Sequence, residues 1–446
     1  MSTAADASIE RNIAALERDT VTLDRTAATV ASRQALRRVL FVNRYFHPDL
    51  SATSQMLTDL VRRLQARGFE LHVISSRQRY EDPNARLARE DWLEAVRVHR
   101  VRSARFGRRR LIGRAIDYLG FYLNAMLAML RWTRPGDIIV AMTDPPLLSV
   151  CAAIVAKRRH AVLINWLQDV FPEIAESLGV LRLPRAVSSV VRGVRDWSLR
   201  AADRNVVIGT GMYRHICRLG IGPTKQRVIE NWADGETLSP MPAASSTLRR
   251  SLPPGVEFVV EYSGNLGRAH DYATILEAAT ALRSERGWLF LMIGGGEYMH
   301  RLRLEAERRS LENVRFLPYQ PRETLPDSLA AADVHLSCLL PSLEGLVVPS
   351  KFYGILAAGR PILVISDPDG EQARIVRAQG CGAVVCAGDA QGLVDELRRM
   401  RSDPEWMHGA GEQARLLFER RYTLEKASGE WLAILKDAEA RHRMRR

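Results

Sequence analysis

The sequence predicts an α/β protein built from two doubly wound, parallel-sheet domains, and three observations lead there. From residue 38 onward, short apolar runs of strand length alternate with helical periodicities. Residues 236–255 hold four prolines and lack periodicity, which reads as a linker or an irregular boundary. From residue 256 the alternation begins again.

In the first half, Val39, Leu40, Phe41 and Val42 form a strand-like run. Residues 54–67 follow as an amphipathic helix, with Met56, Leu57, Leu60, Val61 and Leu64 on one face. Gly68 stops it, and strands are expected at 71–74, 96–101, 137–141, 161–166 and 205–208. In the second half, strands are expected at 256–262, 289–293, 314–317, 334–336, 362–365 and 383–385. Residues 422–440 close the chain with a helical pattern around Trp431, Leu432 and Leu435. The expected organisation is an arm at 1–35, one domain at 36–235, the linker, a second domain at 256–415 and a C-terminal helix within 416–446. Ligands of such sheets sit beyond the carboxyl ends of strands, so a cleft between the domains is the expected site.

Composition narrows the partners. Among 446 residues, 64 Lys and Arg against 51 Asp and Glu leave a net charge of +13, which favours an anionic partner. No zinc-finger spacing and no aromatic–basic interleaving of a nucleic-acid module occurs, so a phosphorylated substrate or an acidic membrane surface is expected instead. Cys151, Cys217, Cys338, Cys381 and Cys386 form no CxxC pair and read as buried thiols of a reducing compartment. Residues 1–35 contain acids and no long apolar core, unlike a secretory signal. The apolar run 116–130, interrupted by Asp117 and Asn124, falls short of the roughly 20 residues that span a bilayer. Arg105, Arg108, Arg109, Arg110 and Arg114 flank the longer apolar run 111–130, a pattern that suits docking on an anionic membrane or a plain amphipathic helix with a solvated end.

Several loops could carry chemistry. Ser263-Gly264-Asn265-Leu266-Gly267-Arg268 joins a strand to a helix starting near Tyr272. Glycines allow close backbone approach, a helix start offers N–H groups, and Arg268 adds charge, so the stretch reads as a phosphate cradle or as a tight turn with a surface arginine. Gly294, Gly295 and Gly296 repeat the arrangement before a helix near Tyr298. Ser350 reads as an N-cap, and Lys351 in the first turn opposes the helix dipole, which an anion bound there would relieve. Asp169 lies just past the strand 161–166, placed for a cleft or for capping the helix after Pro172, where Glu173 could be a first-turn acid. Asp367-Pro368-Asp369-Gly370 could hold a divalent cation but is ordinary turn chemistry.

The order of these segments resembles the retaining nucleotide-sugar glycosyltransferases of family 4, with the GT-B fold, over about residues 38–435. The similar stretches are Asn43-Arg44-Tyr45-Phe46-His47-Pro48, Thr143-Asp144-Pro145-Pro146, Asp169-Val170-Phe171-Pro172-Glu173, Ser263-Gly264-Asn265-Leu266-Gly267, Ile293-Gly294-Gly295-Gly296, the run from Pro349-Ser350-Lys351 to Gly359-Arg360-Pro361, and Asp369-Gly370-Glu371. The bacterial branch that builds O-antigen, capsule and colanic acid is the most similar. The resemblance implies two Rossmann-like domains facing a cleft, with the last helix crossing back to the first domain. It implies sugar transfer, with retention and without a metal or other cofactor, from a nucleotide diphosphate sugar to a lipid-linked saccharide. UDP and an N-acetylated hexose are the donor parts it favours.

By resemblance, Arg268 and Lys351 neutralise the diphosphate, and Asp169 holds a position near the transferred sugar where many relatives carry histidine. Gly264, Asn265, Gly267, Gly294, Gly295, Tyr319, Glu344 and Ser350 border the donor. Arg108, Arg109, Arg110 and Arg114 serve acceptor or membrane contact, at the inner face of the cytoplasmic membrane. The family often has two glutamates eight residues apart; Leu346 and Gly354 stand there, and Glu344 is out of register. A nucleotide-sugar epimerase of the same fold and a non-catalytic, membrane-associated assembly partner are the competing readings. Nucleic acid is not an expected partner.

Overall fold

The computed structural model describes residues 38–444 apart from 81, 83, 104–110 and 182. The chain divides into two units. One holds residues up to Glu173, Leu181–Ile229 and the chain from Ser428 on; the other holds Ile174–Val180 and Glu230–Ala427.

The first unit is an eight-stranded sheet ordered β3-β4-β2-β1-β5-β6-β7-β8. Its strands are β1 (Arg38–Val42), β2 (Glu70–Ser76), β3 (Glu90–Leu93), β4 (Val96–Val101), β5 (Ile138–Met142), β6 (Val162–Leu167), β7 (Arg204–Val207) and β8 (Gln226–Val228). All pairs are parallel except β3 with β4. Both faces of β1 are covered, as its unbroken apolar run requires. Leu40 and Val42 pack with Phe121, Ala125 and Met129 of the helix Leu111–Trp132. Phe41, pointing to the other face, meets Trp431 of the helix Leu424–Met444. Trp431 also meets Trp166 of β6 edge-on at 4.8 Å. Arg204 and Asp437 add an ion pair at 2.7 Å, so the end of the chain belongs to this unit.

The second unit is a six-stranded sheet ordered β11-β10-β9-β12-β13-β14, parallel throughout. Its strands are β9 (Phe258–Asn265), β10 (Trp288–Gly295), β11 (Val314–Leu317), β12 (Val334–Cys338), β13 (Ile362–Ser366) and β14 (Gly382–Cys386). Val260, Tyr262, Phe290 and Met292 anchor one core cluster, and Val364, Phe352, Leu356 and Phe418 another.

The structure differs from the sequence expectations in four places. Strands β3 and β8 carry no apolar pattern: β3 is an exposed edge and β8 is only three residues long. Residues 236–255 are not a free linker. Ser246 caps the helix Thr247–Arg250, and Asp327 accepts from the backbone N–H groups of Thr247 and Leu248 at 2.6 and 3.1 Å, tying the segment to the second unit. Of the cysteines expected to be buried, only Cys338 and Cys381 are; Cys151 and Cys217 are half-buried, and Cys386, at the end of β14, is exposed. The arm 1–35 and Arg105, Arg108, Arg109 and Arg110 lie outside the described residues. Among the described residues, no helix is long and apolar enough to cross a membrane.

Trp431 is fully buried. Trp431→Ala should therefore destabilise the first unit by about 3–5 kcal/mol, the range for a buried aromatic cut to alanine. Hydrogen exchange by mass spectrometry should show faster exchange in β1 and β6 with β9 unchanged. Unaltered β1 protection would refute this packing.

Candidate active site

The two glycine loops are one structure. β9 and β10 extend through them, pairing Gly264 with Gly294 and Gly295 with Asn265. Gly264 and Gly294 hold φ of 127° and 119°, a region closed to most side chains. A Cβ on Gly294 would sit 2.2 Å from the carbonyl oxygen of Gly264. The strands therefore run on where a turn was expected, because only glycine allows this approach. Tyr319, half exposed, lies against Gly294 and Gly295, 3.1 Å from the place a Cβ would take on either.

Lys351 reaches the same spot. Its Nζ stands 3.4 Å from the centre of the Tyr262 ring, a cation–π contact. A Cβ on Gly264 would lie 3.6 Å from its Cε. Part of the side chain stays accessible, but Nζ is enclosed and has no hydrogen-bond partner. Burial pushes the ammonium from its ordinary value of 10.5 down to about 7, with Cys338 acting the other way. The neighbouring His270 donates from Nδ1 to Gly267 O at 3.1 Å. Burial first, then the charge of Lys351, pushes its pKa down to about 3, so the imidazole stays neutral.

The starts of the two helices that follow the glycine loops each have a partner within the protein. Asp271 caps the helix Tyr272–Ala281, accepting from Thr274 N–H. Leu266 O accepts from Tyr298 and Met299 N–H at 2.9 and 3.2 Å, at the start of the helix Glu297–Arg308. Ser350 makes no capping bond; its φ of −67° and ψ of −23° are already helical, so its side chain does not reach back as a cap would. The Arg268 guanidinium is held by Glu297 on an exposed surface, at 2.5 and 3.1 Å. Exposed pairs of this kind are worth about 0–1 kcal/mol, so exchanging Glu297 for a phosphate costs little.

Other expected residues have structural partners. Glu344 accepts from Glu371 N–H at 3.2 Å, and a Cβ on Gly370 would strike it at 2.3 Å. Burial, then the charges of Glu371 and Asp367, push Glu344 up to about 7 against that hydrogen bond. Gly354 faces Leu238, whose Cδ1 would be 3.8 Å from a Cβ there. Asp367 accepts from Asp369 N–H at 2.9 Å, a turn bond. Gly267 lies beside the Asn265 amide, within the loop that His270 and Leu266 hold.

In the first unit, Asp169 borders a cavity of about 30 Å³, room for a water molecule. Burial, then the charge of Asp144, raises its pKa to about 7, and a bond to Thr143 opposes the rise. Its Oδ1 is enclosed without a partner. It caps nothing, since the next helix, Glu173–Ser177, begins four residues on. Glu173 is committed to buried Arg195, which donates to both its oxygens at 2.8 and 2.9 Å. The Arg114 side chain is outside the description, as are Arg108, Arg109 and Arg110.

Two parallel-sheet units are the architecture of the GT-B fold, and the comparisons give the class, glycosyltransferase. The family model "Glycosyl transferase 4-like domain" matches residues 51–232, and "Glycosyl transferases group 1" matches residues 246–417. The chain belongs to the glycosyltransferases of this family 4 type. It is similar to the probable glycosyltransferase WbjE of Pseudomonas aeruginosa, 28% identical over 62% of this chain and 69% of that protein. It is also similar to the "Putative colanic acid biosynthesis glycosyl transferase WcaI" of Escherichia coli (strain K12), 24% identical over 87% of this chain and 98% of that one. Among solved structures, sucrose-phosphate synthase of Thermosynechococcus elongatus shares the fold with a TM-score of 0.75 and 16% identity, over 91% of this chain and 99% of that one. HepE of Anabaena, solved with UDP and glucose, gives a TM-score of 0.67 at 16% identity, over 90% of this chain and all of that one (100%).

Gly294→Ala should destabilise the second unit by about 1–3 kcal/mol, the range for an overpacked site. Gly380→Ala is the comparator, since Gly380 also has positive φ (62°) but nothing within 4 Å of its added Cβ. Calorimetric unfolding should rank Gly294→Ala well below Gly380→Ala; equal losses would show that the backbone contact is not limiting.

Proposed function

We propose that the second unit binds a nucleotide diphosphate sugar at Lys351, and that the enzyme transfers the sugar to a lipid-linked saccharide during cell-surface polysaccharide assembly. One observation carries this reading: an enclosed ammonium with no partner, over Tyr262 and beside Gly264. An unpaired buried charge is costly, and an incoming phosphate offsets that cost. UDP is the proposed nucleotide, in keeping with the UDP bound to HepE, with an N-acetylated hexose as cargo. Tyr319, beside Gly294 and Gly295, is the proposed platform for base or ribose.

Transfer breaks the bond between the anomeric carbon and the phosphate oxygen, and the electron pair leaves with the diphosphate. Lys351 stabilises that charge, and Arg268 joins it by exchanging Glu297 for phosphate. The acceptor hydroxyl attacks from the face the phosphate leaves, and its proton passes to a phosphate oxygen, giving retention. Retention, independence of metal and a role for Asp169 beside the sugar hydroxyls rest on the family resemblance. The acceptor, being lipid-linked, places the enzyme peripherally on the inner face of the cytoplasmic membrane.

Lys351→Ala and Arg268→Ala should each lower donor use by roughly 10²-fold, as expected for charges aimed at a leaving group. Wild-type kinetics in both would sink the assignment. Activity should persist in EDTA; strict dependence on added Mn²⁺ would instead make ligands of Asp367 and Asp369. The pH dependence has a defined sign. Lys351 holds its proton only below about 7 in the free protein, and a bound diphosphate raises that value. Affinity for a UDP-sugar should thus be flat below about 7 and fall above it, with proton uptake on binding. Calorimetry in two buffers of different ionisation enthalpy measures this, and Lys351→Ala should abolish the dependence.

A further inference from the structure

The helices on one face of the first sheet present an outer surface that sugar transfer does not use. Helix Leu111–Trp132 turns Phe121, Ala125 and Met129 into the core. The opposite stripe, Leu119, Leu123 and Leu127, is 56%, 51% and 61% exposed. Helix Leu148–Arg159 shares that core and exposes Ile154. Helix Arg185–Ala201 adjoins it through the Ser149 and Ser198 hydroxyls, 2.9 Å apart, and exposes Val190, Val194 and Trp197. Outward positions of such helices are ordinarily polar, and a contiguous apolar face marks an interaction site.

The charges on the same helices are one-sided. They carry Arg131, Lys157, Arg158, Arg185 and Arg200, all exposed. Their acids are Asp117, which is buried, and Asp196, which is paired with Arg195 at 2.7 Å. A second copy of this face would bring like charges together, and a neutral apolar partner would leave the cations without counter-charge. An anionic bilayer meets both features, with leucines entering the acyl boundary and cations meeting headgroups.

We infer that this three-helix face is the docking surface of the protein on an anionic lipid membrane. The inference rests on the membrane-acceptor reading above and gives that contact a location. The test is sedimentation of the full chain with vesicles of phosphatidylcholine alone or mixed with phosphatidylglycerol. Wild type should bind the mixed vesicles only, and Trp197 fluorescence should shift to the blue, a shift missing in Trp197→Phe. The double variant Leu123→Glu with Val190→Glu should bind the mixed vesicles about tenfold or more weakly. Wild-type hydrogen-exchange protection of β1, β5 and β6 in that variant shows that the first unit, which carries both positions, is folded. Wild-type vesicle binding by the folded double variant would overturn the face and leave the membrane reading standing. Failure of wild type to bind either vesicle overturns both, and equal binding to phosphatidylcholine alone overturns the role of the cations.

Discussion

The second unit is organised around the contact between two backbones, Gly264 on β9 and Gly294 on β10. The carbonyl oxygen of Gly264 occupies the space a side chain on Gly294 would need. Emptying the strand ends of side chains opens the place where Lys351 and Tyr319 converge. Lys351 runs past Gly264 with Nζ over Tyr262, and burial lowers its pKa. A cation–π contact is worth about 0.5–2 kcal/mol, too little to offset taking an ammonium out of water. The lysine is thus held in an unfavourable state that an anion relieves, which is the physical content of preorganisation.

The phosphate site proposed at Lys351 differs from a helix-terminus one. A dipole site needs free N–H groups in the first turn. Here Asp271 takes Thr274 N–H, and Leu266 O takes Tyr298 and Met299 N–H, at the helices that follow the two glycine loops. The caps do something else: they pin the loops. Asp271 also accepts from Gly388 N–H at 2.9 Å, and Leu266 N–H donates to Gly295 O at 2.7 Å, so both loops are tied within the same sheet. Rigidity is supplied by the backbone and charge by side chains, one fixed and enclosed, one exposed and exchangeable.

What was legible in the sequence follows from what periodicity can report. Central strands such as β1 and β6 are continuous apolar runs because both faces are covered, and they stand out at once. The edge strand β3, reading Glu-Asp-Trp-Leu, carries no such signal, since solvent tolerates any residue there. Glycine has low strand propensity, so the ends of β9 and β10 read as turns; only the partner strand shows otherwise. The identities of Lys351 and Arg268 could be read, but not their partners. Glu297 lies 29 residues from Arg268, and Tyr262 looks like any core aromatic of a strand. Asp271 was the readable signal that was missed: an acid three residues before Thr274 is a cap signature. Ser350 does not cap because its backbone is already helical, which residue identity alone does not reveal.

The charge of the chain also needs a location, and the nucleotide site does not supply it. A single donor diphosphate calls for two or three cations, against an excess of +13. In the second unit many arginines are cancelled locally: Arg301, Arg308, Arg309, Arg398, Arg399 and Arg401 all sit in ion pairs. The outer helices of the first unit are the contrast, with basic residues and hardly an acid to meet them. Uncancelled charge on a surface is costly through self-repulsion and gains only by attracting a counter-charge. Apolar side chains on that surface are costly for an independent reason, and both costs fall on the same three helices. A feature selected only for folding would have removed one or the other, since Leu123 to a polar residue or Lys157 to an acid disturbs no core contact. Their coincidence is what a surface facing both headgroups and acyl chains requires, and no single-chain stability argument produces it.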